Sequence, residues 1–278
     1  MKNSPGTFEV TIRCIQGRFL LRPSKDLNDL ILGIFGRALE KYPLLLHLVV
    51  VASNHIHLIL TTPSTKRLSE FMRYVNSNIA REAGWLHRWK EKLFGRRYTA
   101  IEITDDEEMI KKAVYILSHG CKEGLVLRPG DWPGVNCVQA ITRGKPLRGH
   151  WYDRSKQYEA GRSGDPVSRK DFATEYEVPL SPLPCFAQLS TGEQRSRYRA
   201  MIRDIELSTR QQVRREGRRM LGAKKVLSQS PHQKPAQMKK SPAPLCHSSD
   251  PEERRRYRDN YRWFATLYRR ASARLRAG

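Results

Sequence analysis

The chain has 278 residues, 39% of them apolar, with 51 Lys and Arg against 28 Asp and Glu and a formal charge of +23. No stretch approaches the roughly 20 apolar residues that cross a bilayer, which argues against a membrane-spanning protein, and the excess charge asks for a polyanion, of which nucleic acid is the usual one. Cys14, Cys121, Cys137, Cys185 and Cys246 form no C-x-x-C pair, which argues against a zinc knuckle or disulfide framework and predicts free thiols in a reducing cytosol.

No apolar segment follows Lys2, so no signal peptide is expected. Residues 7–15 (TFEVTIRCI) alternate and predict a strand. Residues 24–42 carry Leu27, Leu30, Ile31, Ile34 and Phe35 at helical spacing behind a Ser24 cap. The apolar run 43–53 predicts a strand in the middle of a sheet, and HIHLILTT (55–62) follows after Ser53-Asn54, which predicts a hairpin. A second helix over 64–84 buries Leu68, Met72, Val75 and Ile79. A fourth strand is expected over 96–104. A third helix is expected over 104–120, with a Thr104–Glu107 capping box and Gly120 as its stop. The order β-α-β-β-α-β-α predicts an α+β fold: a ferredoxin-like antiparallel sheet with helices on one face.

Past residue 150 the chain becomes more basic and is interrupted by Pro and Ser. We therefore expect a domain over 1–150 and a mostly helical basic extension over 151–278. The extension holds a long helix over 189–217, a Pro-rich extended stretch over 228–249, and a final helix over 248–276 opened by a Ser249–Glu252 capping box.

His55 and His57 stand two apart on a strand, so both point to one face while Ile56, Leu58 and Leu60 take the other. Such a pair can share a divalent cation or sit half-exposed on a sheet surface. The third helix carries a further donor. With about 100° per residue, Ile110, Ala113, Val114, Ile116 and Leu117 cover one side of it. Tyr115 lies opposite, with Lys111, Ser118, His119 and Lys122. A phenol, an imidazole one turn on and two lysines supply a nucleophile, a metal ligand and phosphate-binding charge, the parts that phosphodiester cleavage needs. Tyr74, with Asn78 four residues on, is a rival nucleophile, but it flanks the buried stripe of its helix.

Three segments in order resemble one known family. SNHIHLIL stands where the REP-associated tyrosine transposases have Asn-His-x-His-Leu. FMRYVNSNIAREAGW followed by LFGRRYTAIEI is similar to their helix and Gly-Arg-Tyr strand. YILSHGCKEGLV is similar to their Tyr-Ile-x-x-Asn-Pro-x-x-x-Gly-Leu-Val. The likeness covers roughly residues 1–130 and lies within the IS200-like, single-tyrosine members of the HUH endonuclease class. It implies that Tyr115 is the nucleophile, forming a 5′-phosphotyrosine and freeing a 3′-hydroxyl, and that His55 and His57 hold Mg²⁺ or Mn²⁺. The third ligand of that family follows the tyrosine by four residues and is Asn in close relatives. Here it is His119, and Gly120 replaces the following Pro. Imidazole is a competent substitute and shifts preference toward softer ions.

The resemblance implies a single-strand DNA nickase and strand-transferase acting on single-stranded or hairpin DNA, as monomer or homodimer, in the bacterial cytoplasm at the nucleoid. A non-catalytic, domesticated DNA-binding protein on the same fold is the alternative, and a basic RNA-binding protein is a third reading. Arg96, Arg97, Lys111 and Lys122 are candidate phosphate contacts near the tyrosine, and Arg254, Arg255 and Arg258 are candidates on the last helix. Trp85, Trp89 and Phe94 are expected to close the core rather than to stack on bases. Tyr257, Tyr261, Phe264 and Tyr268 form a stripe expected to pack on the domain or on the helix at 189–217.

Overall fold

In the computed structural model, which describes residues 5–162, 167–236 and 243–277, the first seven elements follow the predicted order. They are β1 (Gly6–Arg13), α1 (Lys25–Lys41), β2 (Leu45–Ala52), β3 (His55–Thr62), α2 (Thr65–His87), β4 (Thr99–Ile103) and α3 (Asp106–Leu117). Then come α4 (His119–Lys122), α5 (Val138–Arg143), β5 (Leu147–Tyr152), α6 (Arg154–Gly161), β6 (Ala173–Val178), α7 (Thr191–Glu216), α8 (Ala223–Ser228), β7 (Cys246–His247) and α9 (Pro251–Ala277).

The main sheet has the order β2-β3-β1-β4-β7, antiparallel except where β7 joins β4 in parallel. Val10, Ile12, Ile56, Leu58 and Leu60 bury one face of it. The β1-α1-β2 and β3-α2-β4 crossovers put α1 and α2 together on that face, where Phe35 meets Phe71 at 6.3 Å. The expectation of helices on one face holds for these two. The other face carries Glu9, Thr11, Arg13, His55 and His57, and α3 crosses it.

The apolar β2 is an edge strand, not a central one. Its continuous hydrophobicity has another cause: both faces are buried and its free edge is covered. Val51 N–H donates to Val135 O at 2.8 Å, Trp132 Nε1 donates to Val51 O at 2.8 Å, and Ser181 N–H donates to Leu46 O at 2.8 Å. Covering an edge in this way removes a template for unwanted pairing.

Two glycines of α1 explain a layer that periodicity does not reveal. The β5–β6 hairpin lies across α1, so close that a Cβ on Gly33 would stand 2.2 Å from His150 C and one on Gly36 2.8 Å from Glu177 O. The hairpin is held to α2 by Glu82, buried, which accepts from Arg154 and Arg169 at 2.5 Å each. Residue 150, the expected joint, lies inside β5. Further on, α7 packs on α3, α4 and α5 through buried Tyr198, Ile202 and Ile205.

Helix ends follow capping chemistry with two shifts. Ser24 accepts from Leu27 N–H as expected. For α3 the cap is Asp105, accepting from Glu108 N–H at 2.9 Å, in place of Thr104. For α9, Asp250 accepts from Glu252 N–H at 2.8 Å, in place of the Ser249 box. A carboxylate both accepts the hydrogen bond and meets the positive helix end, so it displaces a neighbouring hydroxyl.

Part of the Pro-rich stretch, residues 237–242, lies outside the described residues. The five cysteines are free thiols, and among the described residues no helix is long and apolar enough to cross a membrane.

Candidate metal centre and nucleophile

The period-2 geometry of β3 puts His55 and His57 side by side, ring centroids 4.7 Å apart. His119 comes from the chain just beyond α3. That helix ends at Leu117, and Gly120 is no stop: it sits inside the short α4, where a Cβ would press on Val126 at 3.0 Å. The kink turns His119 inward, 4.5 Å from His55 and 5.2 Å from His57 between ring centroids. All three are buried, and one donor atom from each lies within 4.8 Å of the others. The half-exposed surface pair that the spacing also allowed is not what forms.

The outer nitrogens of the strand pair are held. His55 Nδ1 bonds Asn54 Oδ1 at 2.6 Å, and Asn54 is itself fixed by donating to Gly17 O at 3.0 Å. His57 Nδ1 faces Thr11 Oγ1 at 3.2 Å and Glu9 Oε1 at 3.6 Å. The inner nitrogens, Nε2 of both, are buried with no hydrogen-bond partner among the described residues. Buried polar nitrogens without partners are costly unless something else satisfies them. Three imidazole nitrogens converging on one point fit a divalent cation.

The protonation state suits that role. Burial, then electrostatic repulsion from His57, His119 and Arg13, holds His55 well below the ordinary imidazole range. Burial and the neighbours His57, Arg13 and Lys122 bring His119 down to about 3. Both rings are neutral at pH 7, with lone pairs available to a metal. A stability consequence follows. Unfolded His119 takes a proton near the ordinary imidazole value of 6.5, whereas the folded side chain resists until about 3. The unfolded state therefore binds the extra proton across that window, and stability is lost as pH falls through it. In metal-free protein, thermal or urea unfolding should weaken from pH 6.5 toward 3. His119→Asn should lose less over the same range, by up to about 4 kcal/mol.

Tyr115 projects from α3 with its ring 5.8 Å from His57, edge to face, and is 37% exposed where the core residues of its helix are buried. Lys122 Nζ lies 4.6 Å and Lys112 Nζ 5.6 Å from the ring centroid. Burial, with Glu9 and Glu123 nearby, raises the phenol above its ordinary value. A cation at the imidazoles would oppose that shift. Tyr74 sits elsewhere, packed between Tyr42 at 5.7 Å and Trp151 at 5.9 Å, as its place beside the stripe predicted.

The candidate charges divide. Lys122 stands at the tyrosine. Lys111 pairs with Glu107 at 2.7 Å and Glu108 at 3.0 Å on its own helix, and Lys112 takes the place beside Tyr115. Arg96 and Arg97 are exposed on the loop that leads into β4. That loop is tied to the His55 end of β1, where Gly95 N–H donates to Arg13 O at 3.2 Å. Arg254 donates to Ser248 O at 2.7 Å and Ser249 O at 3.0 Å, while Arg255 and Arg258 are exposed. The aromatic stripe of α9 is not packed as expected: only Tyr257 is anchored, on Glu102, and Tyr261, Phe264 and Tyr268 are each more than half exposed. Trp85 is likewise 66% exposed, with Arg169 over its ring, so it does not close the core.

Sequence reasoning missed Glu9, Thr11, Arg13, Lys112 and His247. The first three alternate along β1 on the side away from Val10 and Ile12, so period 2 placed them on one face with nothing to say that α3 covers it. Arg13 is exposed beside His55 and acts electrostatically on His55, His119 and Tyr115 together.

Residues 14–119 match the family model described as transposase, IS200-like, a span that holds all three histidines and Tyr115. One similar solved structure is a REP-associated tyrosine transposase bound to a REP hairpin, 20% identical over 52% of this chain and 82% of that one, with a TM-score of 0.43. Another is a candidate transposase from Deinococcus radiodurans R1, 15% identical over 41% of this chain and 92% of that one, with a TM-score of 0.31. No curated protein matches the chain. The likeness carried by the sequence motifs is thus recovered over residues 14–119.

Proposed function

We propose that the chain, whose residues 14–119 match the IS200-like transposase family model, is a metal-dependent single-strand DNA endonuclease and strand-transferase working through Tyr115. The observation that carries this reading is the pairing of Tyr115 with His57, 5.8 Å apart in one chain, beside two buried Nε2 atoms that have no partner among the described residues. That proximity favours a tyrosine acting in the same chain as its ligands.

His55, His57 and His119 would hold the ion, and Mn²⁺ suits three nitrogen donors better than Mg²⁺ does. When bound, the ion supplies Lewis-acid polarisation of the scissile phosphate. Tyr115 Oη attacks phosphorus, the P–O3′ bond breaks, and the phenol proton passes through solvent to the 3′ oxygen. Lys122, Lys112 and Arg13 face the developing phosphate charge. The phosphotyrosine keeps the bond energy, so a 3′-hydroxyl can later reverse the step on the same strand or another.

The basic tail serves as a clamp on the DNA, through exposed α9 arginines and the exposed Tyr261, Phe264 and Tyr268. Changing Arg262, Arg269, Arg270 and Arg274 together to Gln should make the slope of log affinity against log salt shallower, by about 0.7 for each single-strand phosphate that an arginine no longer neutralises. An unchanged slope would remove α9 from the interface.

The test of the whole reading is incubation with hairpin-bearing single-stranded DNA and Mn²⁺ or Mg²⁺. A covalent adduct resistant to denaturing electrophoresis supports it. Tight binding with no adduct in either metal would instead favour the domesticated DNA-binding protein, and a preference for RNA would favour the third reading.

A further inference from the structure

The C-terminal arm reaches the metal centre from behind. β7 is only two residues long, yet it joins β4: Thr104 N–H donates to His247 O at 3.0 Å, and His247 is 4% exposed. Its Nε2 donates to Glu9 Oε2 at 2.7 Å, while the other oxygen of that carboxylate faces His57 Nδ1 at 3.6 Å. Two residues beyond, Ser249 N–H donates to Asp105 Oδ2 at 2.7 Å, and Asp105 Oδ1 caps the tyrosine helix α3. The Tyr257 hydroxyl then bonds Glu102 on β4.

A buried carboxylate needs partners, because an unpaired one carries the full cost of desolvation. Glu9 is 7% exposed and uses its two oxygens differently: one is fixed by His247, and the other is left beside the ring of a metal ligand. A carboxylate at Nδ1 favours the tautomer with its proton there, which leaves the Nε2 lone pair free to bind. Without His247, the nearest remaining cation to Glu9 Oε2 is Lys112 Nζ at 4.0 Å, on the tyrosine helix. The carboxylate would then turn toward Lys112 and away from His57.

We infer that Glu9 and His247 are positioning residues for His57, and that β7 is the strut that holds His247 at the back of the metal centre. This rests on the metal reading above. The test is Mn²⁺ affinity of the full chain, by isothermal titration calorimetry and by the electron paramagnetic resonance signal of free Mn²⁺. His247→Ala should weaken affinity about 10-fold to 100-fold, and His247→Gln, which keeps an N–H donor, should recover most of it. Tyr257→Phe, which loosens α9 without touching Glu9, should leave affinity unchanged. Should His247→Ala fail to give a wild-type melting transition, Glu9→Gln, equal in size, is expected to weaken binding likewise. Wild-type affinity in folded His247→Ala, or in Glu9→Gln, overturns the inference alone. A wild-type chain that binds no Mn²⁺ overturns the metal reading and this inference with it.

Discussion

Tyr115→Phe should abolish the covalent protein–DNA adduct and lower strand cleavage by about 10⁴-fold or more, while Mn²⁺ affinity, DNA affinity and melting temperature stay at wild-type levels. The substitution removes one oxygen. The influences on that phenol are burial and charge, with no hydrogen bond among them, so its loss leaves no buried partner unsatisfied. The ring contact with His57 and the position under Lys122 are kept. An effect confined to the chemical step would therefore separate a nucleophile from a residue that packs or binds. Tyr74→Phe is the matched control. Its hydroxyl is buried without a partner among the described residues and its ring packs on Tyr42 and Trp151, so the adduct should persist. An adduct that survives in Tyr115→Phe would move the chemistry to another side chain.

Much of this site was legible because two periods coincide with it. His55 and His57 share a face by the period of a strand, and Tyr115 stands opposite the buried stripe of α3, while His119 enters through the kink beyond the end of that helix. Glu9 was not legible, although it stands in a segment correctly read as a strand. A polar residue between Phe8 and Val10 is what a strand with a solvated face would show, and only the crossing of α3 makes that face interior. His247 had even less signal. A two-residue strand has no period, and it exists because Glu102 and Ile103 offer an open edge to it. The same limit applies to β2, whose apolar run says that it is covered but not by what; the cover comes from Val135 and Trp132, more than eighty residues away. The α3 cap failed for a local reason. Thr104–Glu107 is the expected box, but the cap is the next residue, Asp105, whose second oxygen receives Ser249 N–H from the C-terminal arm.

His57→Ala should lower Mn²⁺ affinity beyond detection and cut adduct formation by about 10³-fold, and chelation of wild type should do the same reversibly. Of the three imidazoles, His57 has the most to lose. Its ring lies 4.7 Å from His55 and 5.2 Å from His119, it meets Tyr115, and it is the one whose far nitrogen faces a carboxylate. Its removal would also leave Glu9 beside an empty space, so part of any stability change belongs to that carboxylate. His57→Gln, which fills the space and keeps polar atoms, separates the two effects: stability should recover and metal binding should not. His119→Asn is the informative contrast. It supplies an oxygen donor in place of a nitrogen, so metal binding should survive with preference moved from Mn²⁺ toward Mg²⁺. A triad in which His57→Ala binds Mn²⁺ as wild type does would be a buried cluster of imidazoles with no ion to hold, and Tyr115 would then face a phosphate that no bound cation polarises.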